Sequence, residues 1–146
     1  MKTLIDLATL VDLAIQDVEN RKLSYDKECI GLFQYIKEFR TIHINTGRQQ
    51  GKSSYIKEHA KPWDVVITHS PDVNEYKIKN IKAYNGANIN SLIDKRNYFG
   101  IPTYTRFIPR TIWIDEPTLL SSRYNMDKIL SELLYDFDQK VVMLGE

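Results

Sequence analysis

The chain has 146 residues, 42% of them hydrophobic and 27% charged, with a formal net charge of +1. That balance fits one domain with one buried core and excludes both a disordered chain and a globally basic nucleic-acid binder. The longest apolar runs are too short to span a bilayer, and Asp6, Asp12 and Asp17 interrupt the N-terminal apolar residues, so neither a membrane span nor a signal peptide is expected. A single cysteine, Cys29, leaves no internal disulfide and no zinc site, which fits a reducing, cytoplasmic setting.

In chain order, Leu4, Leu7, Val11, Ile15 and Val18 recur at steps of three and four, predicting a helix from Thr3 to Glu19 with Thr3 and Asp6 as its capping box. Ser24 opens a second predicted helix, Tyr25 to Phe39, with Cys29, Leu32, Phe33, Ile36 and Phe39 as its apolar stripe. Thr41 to Ile44 reads as a short buried strand entering a polar, Gly-containing turn. A helix from Lys52 to about His59 follows, stopped by Pro62. Asp64 to Thr68 and Thr111 to Ile114 are further β-type runs. Between them, Pro71 to Arg110 has no clear period, and its Val73 to Ala83 portion is compatible with helix or strand. Asn125 to Asp136 is predicted helical, with Met126, Ile129, Leu130, Leu133 and Leu134 inward, and Val141 to Leu144 is a fourth strand. Strands alternating with helices argue a mostly parallel sheet covered by helices.

Two segments carry the chemistry. A strand running into Thr46-Gly47-Arg48-Gln49-Gln50-Gly51-Lys52-Ser53 and then into a helix has the context of a P-loop, whose backbone N–H groups and helix terminus face an anion. In that reading Thr46 to Ser54 hold the phosphates, Lys52 reaches the β- and γ-phosphates, and Ser53 ligates Mg²⁺. The pattern is incomplete, because Thr46 stands where its first glycine belongs. Downstream, Thr111 to Ile114 deliver Asp115 and Glu116 to a strand end, the form of a Walker B segment: Asp115 would serve the Mg²⁺ shell, and Glu116 would deprotonate an attacking water. Separately, each segment also reads as an ordinary polar turn or a capping acid pair.

Together they resemble the P-loop NTPases of the additional-strand, catalytic-glutamate division. Arg48-Gln49-Gln50-Gly51-Lys52-Ser53 is most similar to the deviant Walker A of phage terminase large subunits. Phe33-Gln34-Tyr35 is similar to the element that contacts adenine in those motors. The resemblance implies an α/β fold with a three-layer P-loop core, in which the P-loop strand and the Asp-Glu strand lie side by side, preceded by two N-terminal helices. It implies one domain over 1–146, with a helical prelude at 1–40 and a nucleotide-binding core at 41–146. Implied cofactors are ATP and Mg²⁺. The implied catalytic set is Glu116, Lys52 and Arg48, the last as an arginine finger in cis, with Gln34 reading the base. The implied activity is ATP hydrolysis in a phage-type nucleic-acid transaction such as packaging, in the host cytoplasm for a phage-encoded chain. Where the family carries a Thr- or Ser-rich coupling motif, this chain has Gly145-Glu146. The expectation is therefore a compact stand-alone relative, or one part of a homo-oligomer or larger assembly. The competing reading is a nucleotide-dependent binding module that hydrolyses slowly or never.

From Lys77 to Arg110, Lys77, Lys79, Lys82, Lys95, Arg96, Arg106 and Arg110 are interleaved with Tyr84, Tyr98, Phe99, Tyr104 and Phe107. That mixture suits phosphate binding and base stacking, and suits somewhat better lysines solubilising a loop whose aromatics pack beneath it. His43, His59 and His69 lack companions at metal-ligand spacing and read as core, loop or helix-dipole histidines.

Overall fold

Alternation within the strands decides the layers. In β4 (Thr111–Asp115) Ile112 and Ile114 point to one side and Trp113 to the other; in β2 (Val65–Ile67) Val65 and Ile67 oppose Val66. Both sides of these strands are buried, so helices must cover both faces. The computed structural model describes residues 7–20, 31–45, 51–69, 74–85 and 108–145. Its five strands, with β1 (Thr41–Ile44), β3 (Lys82–Tyr84) and β5 (Lys140–Leu144), form one all-parallel sheet in the order β1-β5-β4-β2-β3.

One core cluster joins α1 (Leu7–Asn20), α3 (Lys52–His59) and α4 (Asn74–Ile78) to Ile42, Val66, Ala83, Trp113 and Val142. The other joins α2 (Leu32–Phe39), α5 (Pro117–Ser121) and α6 (Met126–Leu133) to Val65, Ile67, Ile112, Ile114 and Val141. The crossovers explain this division. From β1 through α3 to β2 and through α4 to β3 the chain moves one way along the sheet, and from β4 through α5 and α6 to β5 it moves back. Keeping the same crossover hand while reversing direction requires the opposite face.

Two expectations are corrected. The P-loop strand and the Asp-Glu strand are not neighbours: β5 lies between β1 and β4, with Ile42 beside Val142 and Val142 beside Trp113. The return along the second face brings Lys140 to Leu144 to that gap, where both sides of the strand find hydrogen-bond partners. The second N-terminal helix begins at Leu32, because Gly31 is extended (φ −60°, ψ 153°) and acts as its N-cap. α1 and α2 cover opposite faces of the sheet. The predicted cap at Thr3 and Asp6, and the segment from Ser24 to Ile30, lie outside the described residues. Among those described, no helix is long and apolar enough to cross a membrane.

Elsewhere the helix ends follow local chemistry. Asn125 caps α6 by accepting from the Lys128 N–H, and Pro117 opens α5, where its missing N–H is harmless. The unassigned Val73 to Ala83 stretch holds both possibilities in turn, α4 and then β3.

At the end of the sheet where the strands begin, Asp64 is 3% exposed, and its carboxylate accepts from Lys61 N, Thr111 N and the Trp113 indole at 3.0–3.1 Å. This buried anion ties the start of β2 to β4 and to the largest core side chain. Asp64→Ala leaves two buried donors unpaired, and is expected to destabilise the fold by about 3 kcal/mol, read as a fall in the urea midpoint.

Candidate functional site

All five strands of the parallel sheet end at one side of it, the place where open parallel sheets take ligands. Gly51, at φ +108°, is the N-cap of α3 in the left-handed region that glycine occupies without penalty. The helix therefore begins with Lys52. A cation here opposes the positive end of the helix, and the first turn has no acidic residue. Its position demands a negative partner, and Glu116 supplies one: Nζ lies 2.7 Å from Oε1, with the two side chains 10% and 20% exposed.

Beside that pair, Ser53 Oγ donates to Asp115 Oδ2 at 2.6 Å, and Thr68 Oγ1 donates to the same oxygen at 3.4 Å. Asp115 is 2% exposed. It sits at the end of β4, where the start of α3 comes within hydrogen-bond reach of it. Tyr76 of α4 lies in its field: burial, then the charges of Asp115 and Glu75, push the Tyr76 phenol up to about 12, so the hydroxyl stays protonated at neutral pH.

Glu116 has a backbone few residues of its type adopt, φ 59° and ψ 69°. A non-glycine residue held in the left-handed region stores about 1 kcal/mol or more of strain, and such strain clusters at functional sites. Here the bend turns the carboxylate back over the end of the sheet, while the Glu116 N–H donates to Leu144 O at 2.9 Å.

The structure thus brings together Lys52, Ser53, Asp115 and Glu116, with Gly51 at the turn and Ser54 exposed one position on. Thr46, Gly47, Arg48, Gln49 and Gln50 lie outside the described residues. Gln34 is exposed on α2 and donates to Glu38 one turn on. Three contributors escape sequence reasoning: Thr68, Tyr76 and Gly145. Thr68 offers a faint signal as the polar residue that closes the β2 segment, and Gly145 as the glycine that stands in place of a coupling motif; Tyr76 offers none. His43 is exposed on β1 and bonds Gly145 O, and His59 bonds Tyr55 O in the last turn of α3 while stacking on the Tyr55 ring.

Among the described residues no three His, Cys, Asp or Glu side chains converge as a metal cage. A hydroxyl and a single carboxylate are nonetheless donors suited to Mg²⁺, which completes its octahedron with waters and substrate phosphates. If a nucleotide and Mg²⁺ bind at this cluster, Asp115→Asn weakens the Mg²⁺-dependent binding by about tenfold or more and leaves Mg²⁺-free binding nearly unchanged, by calorimetry with and without the ion. No known protein-family model and no curated protein sequence matches this chain.

Proposed function

We propose that the chain is a Mg-ATP-binding P-loop ATPase of the additional-strand, catalytic-glutamate division, with β5 as the strand added between the P-loop strand and the Asp-Glu strand, resembling phage terminase motors and serving a nucleic-acid transaction. The observation that carries this reading is the double pairing of Lys52 with Glu116 and Ser53 with Asp115. A glycine-turned helix start supplies the cation and hydroxyl that phosphate and Mg²⁺ require, and a separate strand delivers two carboxylates to the same point.

In the proposed reaction the γ-phosphate enters against the α3 N-terminus and takes Lys52 away from Glu116. Glu116 then accepts a proton from water as its oxygen bonds to the γ-phosphorus and the bond to the bridging oxygen breaks, releasing ADP and phosphate. Bound Mg²⁺ would neutralise charge on the phosphate oxygens, held through Ser53 and Asp115. Arg48 would add charge to the transferring group.

The second reading, a nucleotide-binding module without turnover, is favoured by one observation: Glu116 is already engaged by Lys52. ATP turnover measured with and without single-stranded and duplex DNA decides between them. Hydrolysis at no more than the background rate in all conditions would leave the module.

For nucleic acid, Lys77 and Lys82 are exposed on and after α4, whereas Lys79 donates to Lys57 O, Arg110 pairs with Asp136, and Tyr84 packs into the core. Lys95, Arg96, Tyr98, Phe99, Tyr104, Arg106 and Phe107 lie outside the described residues. Replacing Lys77, Lys79 and Lys82 with glutamine is expected to weaken DNA binding and flatten its salt dependence, the slope changing by about one unit for each lysine that had neutralised a phosphate. A native titration indifferent to salt would remove the nucleic-acid role.

A further inference from the structure

We infer that Gly145 and His43 are positioning residues that seat the Glu116 carboxylate. The inference rests on the reading of Glu116 as proton acceptor, but its geometry stands apart from any nucleotide. Gly145 follows β5, the strand wedged between β1 and β4, and has φ +113°. A Cβ built on it would lie 2.6 Å from Glu116 Oε2, 2.7 Å from Cδ and 2.9 Å from Oε1. The carboxylate thus occupies the volume that any side chain at 145 would need. Glycine is required there both by the backbone angle and by the neighbour.

Gly145 is itself pinned from β1. Its N–H donates to Ile44 O at 2.9 Å, and its carbonyl lies 2.9 Å from His43 Nε2. A carbonyl only accepts, so Nε2 carries the proton. The Ile44 bond continues the sheet ladder; the His43 bond does not, and acts on the orientation of the Gly145 carbonyl alone. With Leu144 O holding the Glu116 N–H and Lys52 holding its carboxylate, the seat is fixed from β1, β5 and α3 together. Glu116 keeps its strained backbone because these neighbours over-determine it.

The test compares native protein with Gly145→Ala, His43→Ala and His43→Gln. The first readout is nucleotide-free: acetylation of Lys52 by acetic anhydride, followed by peptide mass spectrometry. If Glu116 is seated as inferred, Gly145→Ala and His43→Ala loosen the Lys52–Glu116 pair and raise labelling of Lys52 by about threefold or more, whereas His43→Gln, whose amide still donates, stays near native. The second readout is ATP affinity against single-turnover hydrolysis. Affinity should hold within about threefold while the rate falls about tenfold or more, the signature of a misplaced base rather than a missing binding group. Native-rate labelling of Lys52 in both Gly145→Ala and His43→Ala overturns the inference, whatever turnover does. Glutamine behaving like alanine overturns the donor role of His43. Should Gly145→Ala fail to fold, the two His43 variants, which leave the backbone unchanged, carry the test. If native protein does not hydrolyse ATP, the ATPase reading fails and the labelling alone decides the seating.

Discussion

Lys52→Ala is expected to remove ATP binding, lowering affinity by about a hundredfold or more, while the protein stays folded. The size follows from position. Lys52 is the first residue of α3, and its amine, largely screened from water, pairs with a carboxylate at 2.7 Å. A phosphate arriving there exchanges one anion for another around the same cation, and truncating one side of such a screened, charge-assisted pair removes about 2–5 kcal/mol of binding. The fold should survive because Glu116, already 20% exposed in the pair, can turn to water when that cation is gone. Equilibrium dialysis with labelled ATP reads the result. Native affinity in a folded variant would remove the P-loop assignment.

Glu116→Gln is expected to act in the opposite sense on binding and far more strongly on turnover. The amide keeps the shape of the side chain and loses the basic oxygen, so hydrolysis should fall by about 10²- to 10⁴-fold, the range ordinarily supplied by a positioned general base. Affinity should be retained or improved, because in the proposed reaction ATP must first displace Glu116 from Lys52 and the amide competes for that ammonium only weakly. The pair of variants therefore separates the roles: one loses nucleotide, the other holds it without converting it. Single-turnover measurement at saturating ATP is the check, and a native rate in Glu116→Gln would end the reading of this residue as the base.

Much of this arrangement is legible from residue order. Thr41 to Ile44, Lys52 to His59 and the two carboxylates after Ile114 stand where the sequence places them, because each combines a local period with punctuation by glycine or proline. The start of α2 at Leu32 is hidden because the apolar stripe continues on both sides of Gly31, and an extended glycine leaves no mark in such a pattern. α4 and β3 are too short, at five and three residues, for either period to declare itself. Strand order escapes altogether. Nothing local in Val141 to Leu144 says that it will lie between β1 and β4; that follows from crossover hand and from which face is left open. The roles of Thr68, Gly145 and His43 stay hidden for the same reason, since parallel register brings them to the site from distant parts of the chain.

The position of β5 also sets the order of assembly. During synthesis the N-terminal part emerges first and begins to fold, yet the middle strand between β1 and β4 is the last of the five in the chain. Until Lys140 to Leu144 leave the ribosome, β1 and β4 have no common neighbour, and each presents backbone groups awaiting a partner, the condition under which strands pair with the wrong chain. Ser53 cannot be held opposite Asp115, nor Glu116 beneath Lys52, before that strand is inserted. The pairing of β1 with β5 joins Thr41 to Val141, a long loop to close and hence a slow step. Completing the sheet and completing the cluster of Lys52, Ser53, Asp115 and Glu116 are consequently one event, so under the proposed function a nascent chain should acquire nucleotide binding abruptly and late.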